Sequence, residues 1–428
     1  MISDPCALNL RHLRALLAVR QAGSISAGSH LSNLTQSALT QAIGKLERQL
    51  DCTLFERQPS GSELTAEGAM AIERIEAAFG HLEQAVLKLS GSSVQMPHAI
   101  TMLHVRALLS LANARSLAAA AAAASWSQTS VHRAIRDLEK LLARPLVESR
   151  GQGTTLNVAG RRLLQAFRLL RGELLSMLSE ISNDRHAAVV SLGALPSARP
   201  FIVPTAITQM VRENDHVQFL VAEGNWGDLV EQLQDGVIDL VVGALRNEEV
   251  AGLRQEVLSK DQTVILCGNH HPLVGHPAPT LEDLARYPWI VTPPLSPLRA
   301  QWEALFPSEH RPRCPVECES TMVVINLLAH GDFLTLASPH QVELPIRAGR
   351  LSVLGPLIDQ PSRSVGLIMR KGWRPTPVQR HFIALLTHAA RCGGAAPIAT
   401  EARKHDFRPI PNERNDDIQI TPTPRIDA

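Results

Sequence analysis

The sequence predicts a multidomain chain of two α-rich winged helix-turn-helix units followed by an α/β domain. Three observations lead there. A segment repeats at a constant offset of 92 residues, without a gap, from His12/His104 to Gly68/Gly160. A repeat of this size marks a supersecondary unit used twice. Within each copy the apolar residues recur at helical spacing. Beyond residue 186 the pattern changes to short apolar runs separated by helical segments, as in α/β domains.

Identical pairs include Arg14/Arg106, Leu16/Leu108, Leu17/Leu109, Ser24/Ser116, Gln36/Gln128, Ile43/Ile135, Leu46/Leu138, Glu47/Glu139, Leu54/Leu146, Leu64/Leu156 and Gly68/Gly160. In residues 36–50, Leu39, Ala42, Ile43, Leu46 and Leu50 form an apolar stripe, and Ser37, Thr40, Gln41, Gly44, Lys45 and Arg48 take the other face. Copy two repeats the division with Val131, Ala134, Ile135, Leu138 and Leu142 against Thr129, His132, Arg133, Arg136 and Lys140. Thr35 and Ser127 stand where N-caps belong, their hydroxyls placed to accept from free backbone N–H groups. A short helix that opens on Gln and turns Thr, Gln, His and Arg outward suits a major groove, because amides and guanidiniums pair with base edges or hold phosphates. A solvated surface helix has the same pattern. What favours DNA is the setting: a shorter helical segment (24–31, 116–123) precedes each helix, and an apolar stretch with a polar, Gly-containing tip follows it, the profile of a wing. Candidate DNA contacts are Gln36, Ser37, Thr40, Gln41, Lys45 and Arg57, and in copy two Gln128, Thr129, His132, Arg133, Arg136 and Arg150.

On these residues the chain resembles the LysR-type transcriptional regulators. The family's pattern is carried by Ser24-Ile25, Thr35-Gln36-Ser37-Ala38-Leu39-Thr40, Ile43, Leu46-Glu47, Leu54-Phe55-Glu56-Arg57 and Leu64-Thr65-Ala66-Glu67-Gly68. Copy one departs from it at Gly28-Ser29, where the family has two alanines, and at Ser32, where it prefers an apolar residue. Looser packing of that helix is expected. Copy two has Ser149 in place of the wing arginine, with Arg150 displaced by one. The family normally carries one such unit, and this chain has the pattern twice.

Net charge is +1 over 428 residues, so the whole chain does not announce a nucleic-acid partner. By segment, residues 1–95 hold 8 Lys and Arg against 9 Asp and Glu, and residues 96–186 hold 12 against 6. Copy two therefore supplies more phosphate attraction. The six cysteines are too scattered for a disulfide framework. A signal-peptide pattern and an apolar run of roughly 18 residues are both lacking, which leads to the expectation of a cytoplasmic protein with no membrane span.

Helical spacing predicts long helices over residues 69–89 and 160–181. The family resemblance implies that the first pairs two subunits; a helix closing its own domain is the alternative. Residues 91–97 read as a flexible connection, 118–124 are seven consecutive alanines that favour helix, and 183–186 read as a hinge. Strands are expected at 189–195, 217–221 and 237–243, with helices at 201–213 and 226–235 between them, implying a parallel sheet. Such sheets bind ligands beyond the carboxyl ends of their strands. That points to Leu195, Pro196, Ser197 and Ala198, and to Gly243 and Ala244.

Residues 187–391 also resemble the effector domain of LysR-type regulators, a two-lobed fold like type II periplasmic binding proteins. The strings GALPSARPFIVP, LVEQLQDGVIDLVVGAL, HHPL, LEDLARYPWIV, SPLR and AHGDFLTLASP carry the likeness. It implies one lobe of 187–258 with 350–391, another of 259–349, and a ligand between them. In the second lobe Thr292, Ser296, Ser320 and Thr321 are the candidate lining. Ser197, Ser296, Ser320 and Thr321, read as helix starts, suit a carboxylate, though serine and threonine are also the common caps. Arg299 is either an anion partner or a surface residue. Residues 392–428 read as a disordered tail.

His270-His271, His276 and Cys314-x-x-x-Cys318 invite a metal, but the spacing fits no standard site, and no metal or cofactor is expected. Phosphate loops and nucleophile elbows are lacking, so no enzyme is expected. The sequence thus predicts 1–95 and 96–186 as two DNA-reading units, 187–391 as the effector domain, and a homodimer or homotetramer as the working form. A cytoplasmic small-molecule receptor acting through protein partners is the rival.

Overall fold

The computed structural model describes residues 4–58, 61–90, 96–112, 114, 117–124, 126–150, 153–181, 188–277, 279–294, 296–306, 308–356 and 363–395. Of the expected connection at 91–97, residues 91–95 lie outside them and Met96–Ala99 form a 3-10 helix; the hinge at 183–186 lies outside them, and of the expected tail at 392–428 the part to Ala395 continues a helix while the rest lies outside them. The chain divides into two compact units: residues up to Gly193 with Gln209–Val241 and Met369–Ile383, and Ala194–Thr208 with Val242–Ile368 and the chain from Ala384.

The first unit opens with α1 (Leu10–Ala22), α2 (Ile25–Ser32), α3 (Gln36–Leu50), β1 (Phe55–Gln58), β2 (Gly61–Leu64) and α4 (Ala66–Ser90). The same order then recurs as α5 (Met102–Ala112), α6 (Leu117–Ala124), α7 (Gln128–Leu142), β3 (Val147–Arg150), β4 (Gly153–Leu156) and α8 (Val158–Ile181). Both strand pairs are antiparallel, with Phe55 opposite Leu64 and Val147 opposite Leu156. Each copy ends its wing against a long helix that starts earlier than periodicity indicates. Thr65 Oγ1 accepts from Gly68 N, and Asn157 Oδ1 from Gly160 N, both at 2.9 Å, as cap side chains do. Glycine is required at the third helical position, because an added Cβ would stand 2.1 Å from Leu54 O or 2.2 Å from Leu146 O.

The departures in α2 do not loosen it. Gly28 lets α2 approach α1 until an added Cβ would meet Val19 Cα at 3.0 Å. The hydroxyls bond back into their own helix, Ser29 Oγ to Ser26 O at 2.7 Å and Ser32 Oγ to Gly28 O at 2.8 Å. One continuous apolar core runs from Leu8 to Leu178 and includes both stripes predicted for α3 and α7. Fully burying each such leucine or isoleucine contributes roughly 1.5–3 kcal/mol.

Within the single chain α4 packs along α8, so the first long helix does more than close its own domain. Arg74 joins them with its side chain 6% exposed, reaching Glu173 at 2.9 Å and Glu180 at 2.6 Å. Burial pushes the Glu173 carboxyl up, but Arg74, bonded to it, and the nearby His81 hold it below the usual range.

After residue 188 come β5 (Val189–Ala194), α9 (Ile202–Glu213), β6 (Gln218–Glu223), α10 (Trp226–Gln234), β7 (Leu240–Ala244), β8 (Leu253–Asp261) and β9 (Val264–Gly268). Then follow α11 (Leu281–Ala285), β10 (Trp289–Val291), α12 (Pro297–Leu305), β11 (Val316–Glu317), α13 (Thr321–His330), β12 (Leu334–Ala337), α14 (Glu343–Arg347), β13 (Leu351–Pro356), β14 (Arg363–Arg370) and α15 (Pro377–Ala395). The sheet orders are β6-β5-β7-β14-β8 and β11-β10-β12-β9-β13. The second is mixed: β10 runs parallel to β11 and β12, whereas β9 is antiparallel to β12 and β13. The expectation of a parallel sheet therefore does not extend to it. Trp289 anchors that core, edge-on to Phe306 at 5.2 Å, its indole N–H donating to Leu284 O at 3.0 Å. Among the described residues no helix is long and apolar enough to cross a membrane.

Candidate functional site

The helices α3 and α7 are built alike. Thr35 Oγ1 accepts from Ala38 N at 3.2 Å and Ser127 Oγ from Ser130 N at 3.1 Å, so both caps form as the sequence indicates. The apolar stripes are buried beneath. Gln36, Ser37, Gln41 and Lys45 are left exposed on α3, and Gln128, Thr129, His132, Arg133 and Arg136 on α7. Thr40 is half-buried and donates to Gln36 O at 2.9 Å. Arg57 stands on β1 opposite Ser62 and Arg150 on β3 opposite Gly153, while their side chains lie outside the described residues.

Two residues that the sequence reading passed over tie each strand pair to the helix before it. Glu47 Oε1 accepts from Leu54 N at 2.9 Å, and Glu139 Oε1 from Leu146 N at 2.8 Å. The leucine-glutamate pair in each copy was visible, but its partner seven residues on was not.

The effector candidates fall in the second unit. Leu195, Pro196, Ser197 and Ala198 follow β5 as a tight turn, with Leu195 N donating to Val242 O and Ala198 N to Leu195 O, both at 2.9 Å. Gly243, at φ +152°, lets the ends of β5 and β7 meet, since an added Cβ would stand 2.4 Å from Leu195 Cβ. Ala244 closes β7. Ser197 is not at a helix start, because α9 begins only at Ile202: Pro200 disfavours helical backbone at Arg199. The Ser197 hydroxyl is buried and without a hydrogen-bond partner, and so is that of Thr292. Such orphans are rare in folded proteins and mark places where a ligand or water completes the bonding.

Ser296 precedes α12 without a side-chain cap bond, Ser320 caps α13 by accepting from Val323 N, and Thr321 is its first residue. The backbone N–H groups at the start of α13 thus point out of a ten-residue helix. Arg299 is engaged within its own surroundings, bonded to Glu303 at 2.9 Å and to Thr292 O at 3.2 Å. Arg246, two residues past Ala244, was missed. Burial lowers its guanidinium pKa while Glu248 and Glu319 raise it, which puts a partly desolvated cation in the field of the residue before Ser320. The signal was the string Gly243-Ala244-Leu245-Arg246, read only as far as Ala244.

Two of the residues suspected of holding metal take part in hydrogen bonds, while the second ring nitrogen of His271 is buried without a partner. His271 Nδ1 accepts from Leu273 N at 3.1 Å and the Cys314 thiol donates to Pro312 O. Among the described residues no group of three His, Cys, Asp or Glu is disposed around a metal ion.

Comparison with known proteins places these features. The LysR substrate binding domain matches residues 183–391, and the bacterial regulatory helix-turn-helix protein of the lysR family matches 10–69 and again 102–161. The HTH-type transcriptional regulator GalR of Pseudomonas putida is 29% identical over 383 residues, 88% of this chain and 96% of that protein. The SDS degradation transcriptional activation protein of a Pseudomonas species is 30% identical over 66% of this chain and 94% of its own length. A full-length OxyR variant from Pseudomonas aeruginosa shares the fold over 70% of this chain and 96% of its own, at TM-score 0.54 and 21% identity. Members of this family are transcriptional regulators rather than enzymes. The repeated capped helices, the mixed-sheet domain behind them and these matches together assign the chain to the LysR family of DNA-binding transcriptional regulators with a small-molecule effector domain.

Proposed function

We propose that both copies of the repeat are winged helix-turn-helix units and that both read double-stranded DNA. Gln36, Ser37, Thr40, Gln41 and Lys45 serve in α3, Gln128, Thr129, His132, Arg133 and Arg136 in α7, and Arg57 and Arg150 in the wings. The observation that carries this reading is the identical construction of α3 and α7, each capped, buried on one face and polar on the other. The units occupy 1–95 and 96–186. The effector domain occupies 187–391, with lobes of 187–258 plus 350–391 and of 259–349. The effector is a small carboxylate held by the Ser197 and Thr292 hydroxyls, the α13 N-terminus at Ser320 and Thr321, and the Arg246 charge, alongside Leu195, Pro196, Ala198, Gly243, Ala244 and Ser296. A carboxylate fits because it accepts from several donors at once and carries the charge a helix N-terminus favours. Its binding shifts the population of DNA-competent forms through unequal affinity for them. The working protein is a cytoplasmic homodimer or homotetramer.

Fluorescence anisotropy of the full chain on duplexes from its own upstream region tests this. Affinity should fall steeply and linearly in log–log form as salt rises, and exceed that for scrambled duplexes about a thousandfold or more. A panel of sugar acids and aromatic acids, added in turn, should contain members that change that affinity in wild type but not in Ser197→Ala/Thr292→Val. Equal affinity for every duplex would defeat the DNA reading, and an unresponsive complex the effector reading.

A further inference from the structure

The pairing of α4 with α8 is organised about a local two-fold axis. His81 and Glu173 are equivalent positions at the 92-residue offset, and they face each other across the two helices, Nε2 to Oε1 at 3.9 Å. Arg74 lies seven residues before His81, and its partner Glu180 lies seven residues after Glu173. Contacts that step backward in one helix as they step forward in the other mean antiparallel helices centred on His81/Glu173. The same register positions are buried in both: Ile72/Leu164, Ile75/Phe167 and Leu82/Leu174 among them. The flanking turns exchange in the same sense. Residues Pro5–Ala7 of copy one lie against α8, and Met96–Ala99 of copy two lie against α4. Arg14 of copy one donates to the His98 carbonyl at 3.1 Å.

We infer that one chain is a complete two-headed reader, which engages two half-sites in opposite orientation whose sequences differ where α3 and α7 differ. The inference rests on the proposal that both helices read DNA. A duplex has local two-fold axes of its own, so a protein with two equivalent helices about such an axis meets the same sequence on opposite strands. Here the helices are not identical. Gln36/Gln128 and the hydroxyls of Ser37/Thr129 are shared, so the half-sites share the bases these face. Gln41 stands where α7 has Arg133, both exposed. An amide pairs bidentately with adenine and a guanidinium with guanine, so this position has adenine in one half-site and guanine in the other. Asymmetry of this kind orients a single chain on its operator, which two identical subunits reading with one helix each cannot do.

Selection from randomised duplexes with the full chain, followed by native mass spectrometry on the recovered site, tests this. The expected site is an inverted pair of unequal halves, saturating at one duplex per chain whatever the oligomer of the protein. Gln41→Arg should shift its half toward guanine and Arg133→Gln the other toward adenine, each by about tenfold or more in base preference. His81→Cys/Glu173→Cys treated with a short bis-maleimide should be linked within single chains. A recovered site holding one half per chain, or two chains per pair, overturns the inference and leaves DNA reading intact. Base preferences unmoved by both swaps overturn it too. If no sequence is recovered and binding shows no salt dependence, the underlying DNA reading fails with it, whatever the cross-link shows.

Discussion

Removing the Arg74 side chain tests how the two halves are held together. The guanidinium is 6% exposed, and the carboxylates it joins, Glu173 and Glu180, are 10% and 11% exposed. It also donates to the Arg374 carbonyl at 2.8 Å. Arg74→Ala leaves two buried carboxylates of α8 without the guanidinium that bonds them. Taking away one partner of a buried ion pair costs about 3–5 kcal/mol, most of it the penalty of the stranded charge. For a unit of this size that is roughly 6–20 °C in melting temperature. Replacing the whole cluster, as in Arg74→Met/Glu173→Gln/Glu180→Gln, should recover most of the loss, because no charge is then stranded. Calorimetry and urea unfolding of the full chain measure both. A loss under about 1 kcal/mol for Arg74→Ala would refute the reasoning, since only an exposed pair costs so little. The cluster is also acid-sensitive. The lowered Glu173 pKa means that its stabilisation is present above the unfolded carboxyl value of 4.5 and is lost as pH falls through the folded value.

Gly160→Ala should destabilise by about 1–3 kcal/mol, because the added methyl meets Leu146 O at 2.2 Å, and Gly68→Ala should match it in copy one; thermal unfolding reads both. Arg133→Ala should weaken binding to the selected duplex by about 1–3 kcal/mol and relax one base position, as anisotropy on single-base variants would show. Burial lowers the His12 pKa, with Lys45 adding to the shift. The folded group resists protonation, so its stabilisation is full above the unfolded value of 6.5 and declines as pH falls through the folded one. The fall in melting temperature between pH 7.5 and 5.5 should therefore be shallower in His12→Leu.

Local features were legible in the sequence. The Thr35 and Ser127 caps, the buried stripe from Leu39 to Leu50 and the strand expected at 189–195 each depend on residues a few positions apart, where spacing and chemistry decide. Three kinds of feature were hidden. Arg74, Glu173 and Glu180 lie on helix faces whose charge pattern reads as solvated, and only the antiparallel pairing of α4 with α8 buries them. The direction of β9 depends on which strands it pairs with, and alternation of strand and helix does not encode that. Ser197 read as a helix start, whereas Pro200 delays α9 to Ile202, and the buried, unpartnered hydroxyl is a property of the packed domain. Gly68 and Gly160 lie between these cases: the repeat singles them out, and the backbone oxygens of Leu54 and Leu146 give the reason.

A hydroxyl-radical footprint on the upstream DNA, comparing wild type with Gln41→Ala/Lys45→Ala and Arg133→Ala/Arg136→Ala, tests most directly that both copies read DNA. Each double variant should shorten the protected region, and from opposite ends. Loss of protection with the Arg133 pair alone, and an unchanged footprint with the Gln41 pair, would contradict the account and leave α3 with no part in reading the operator.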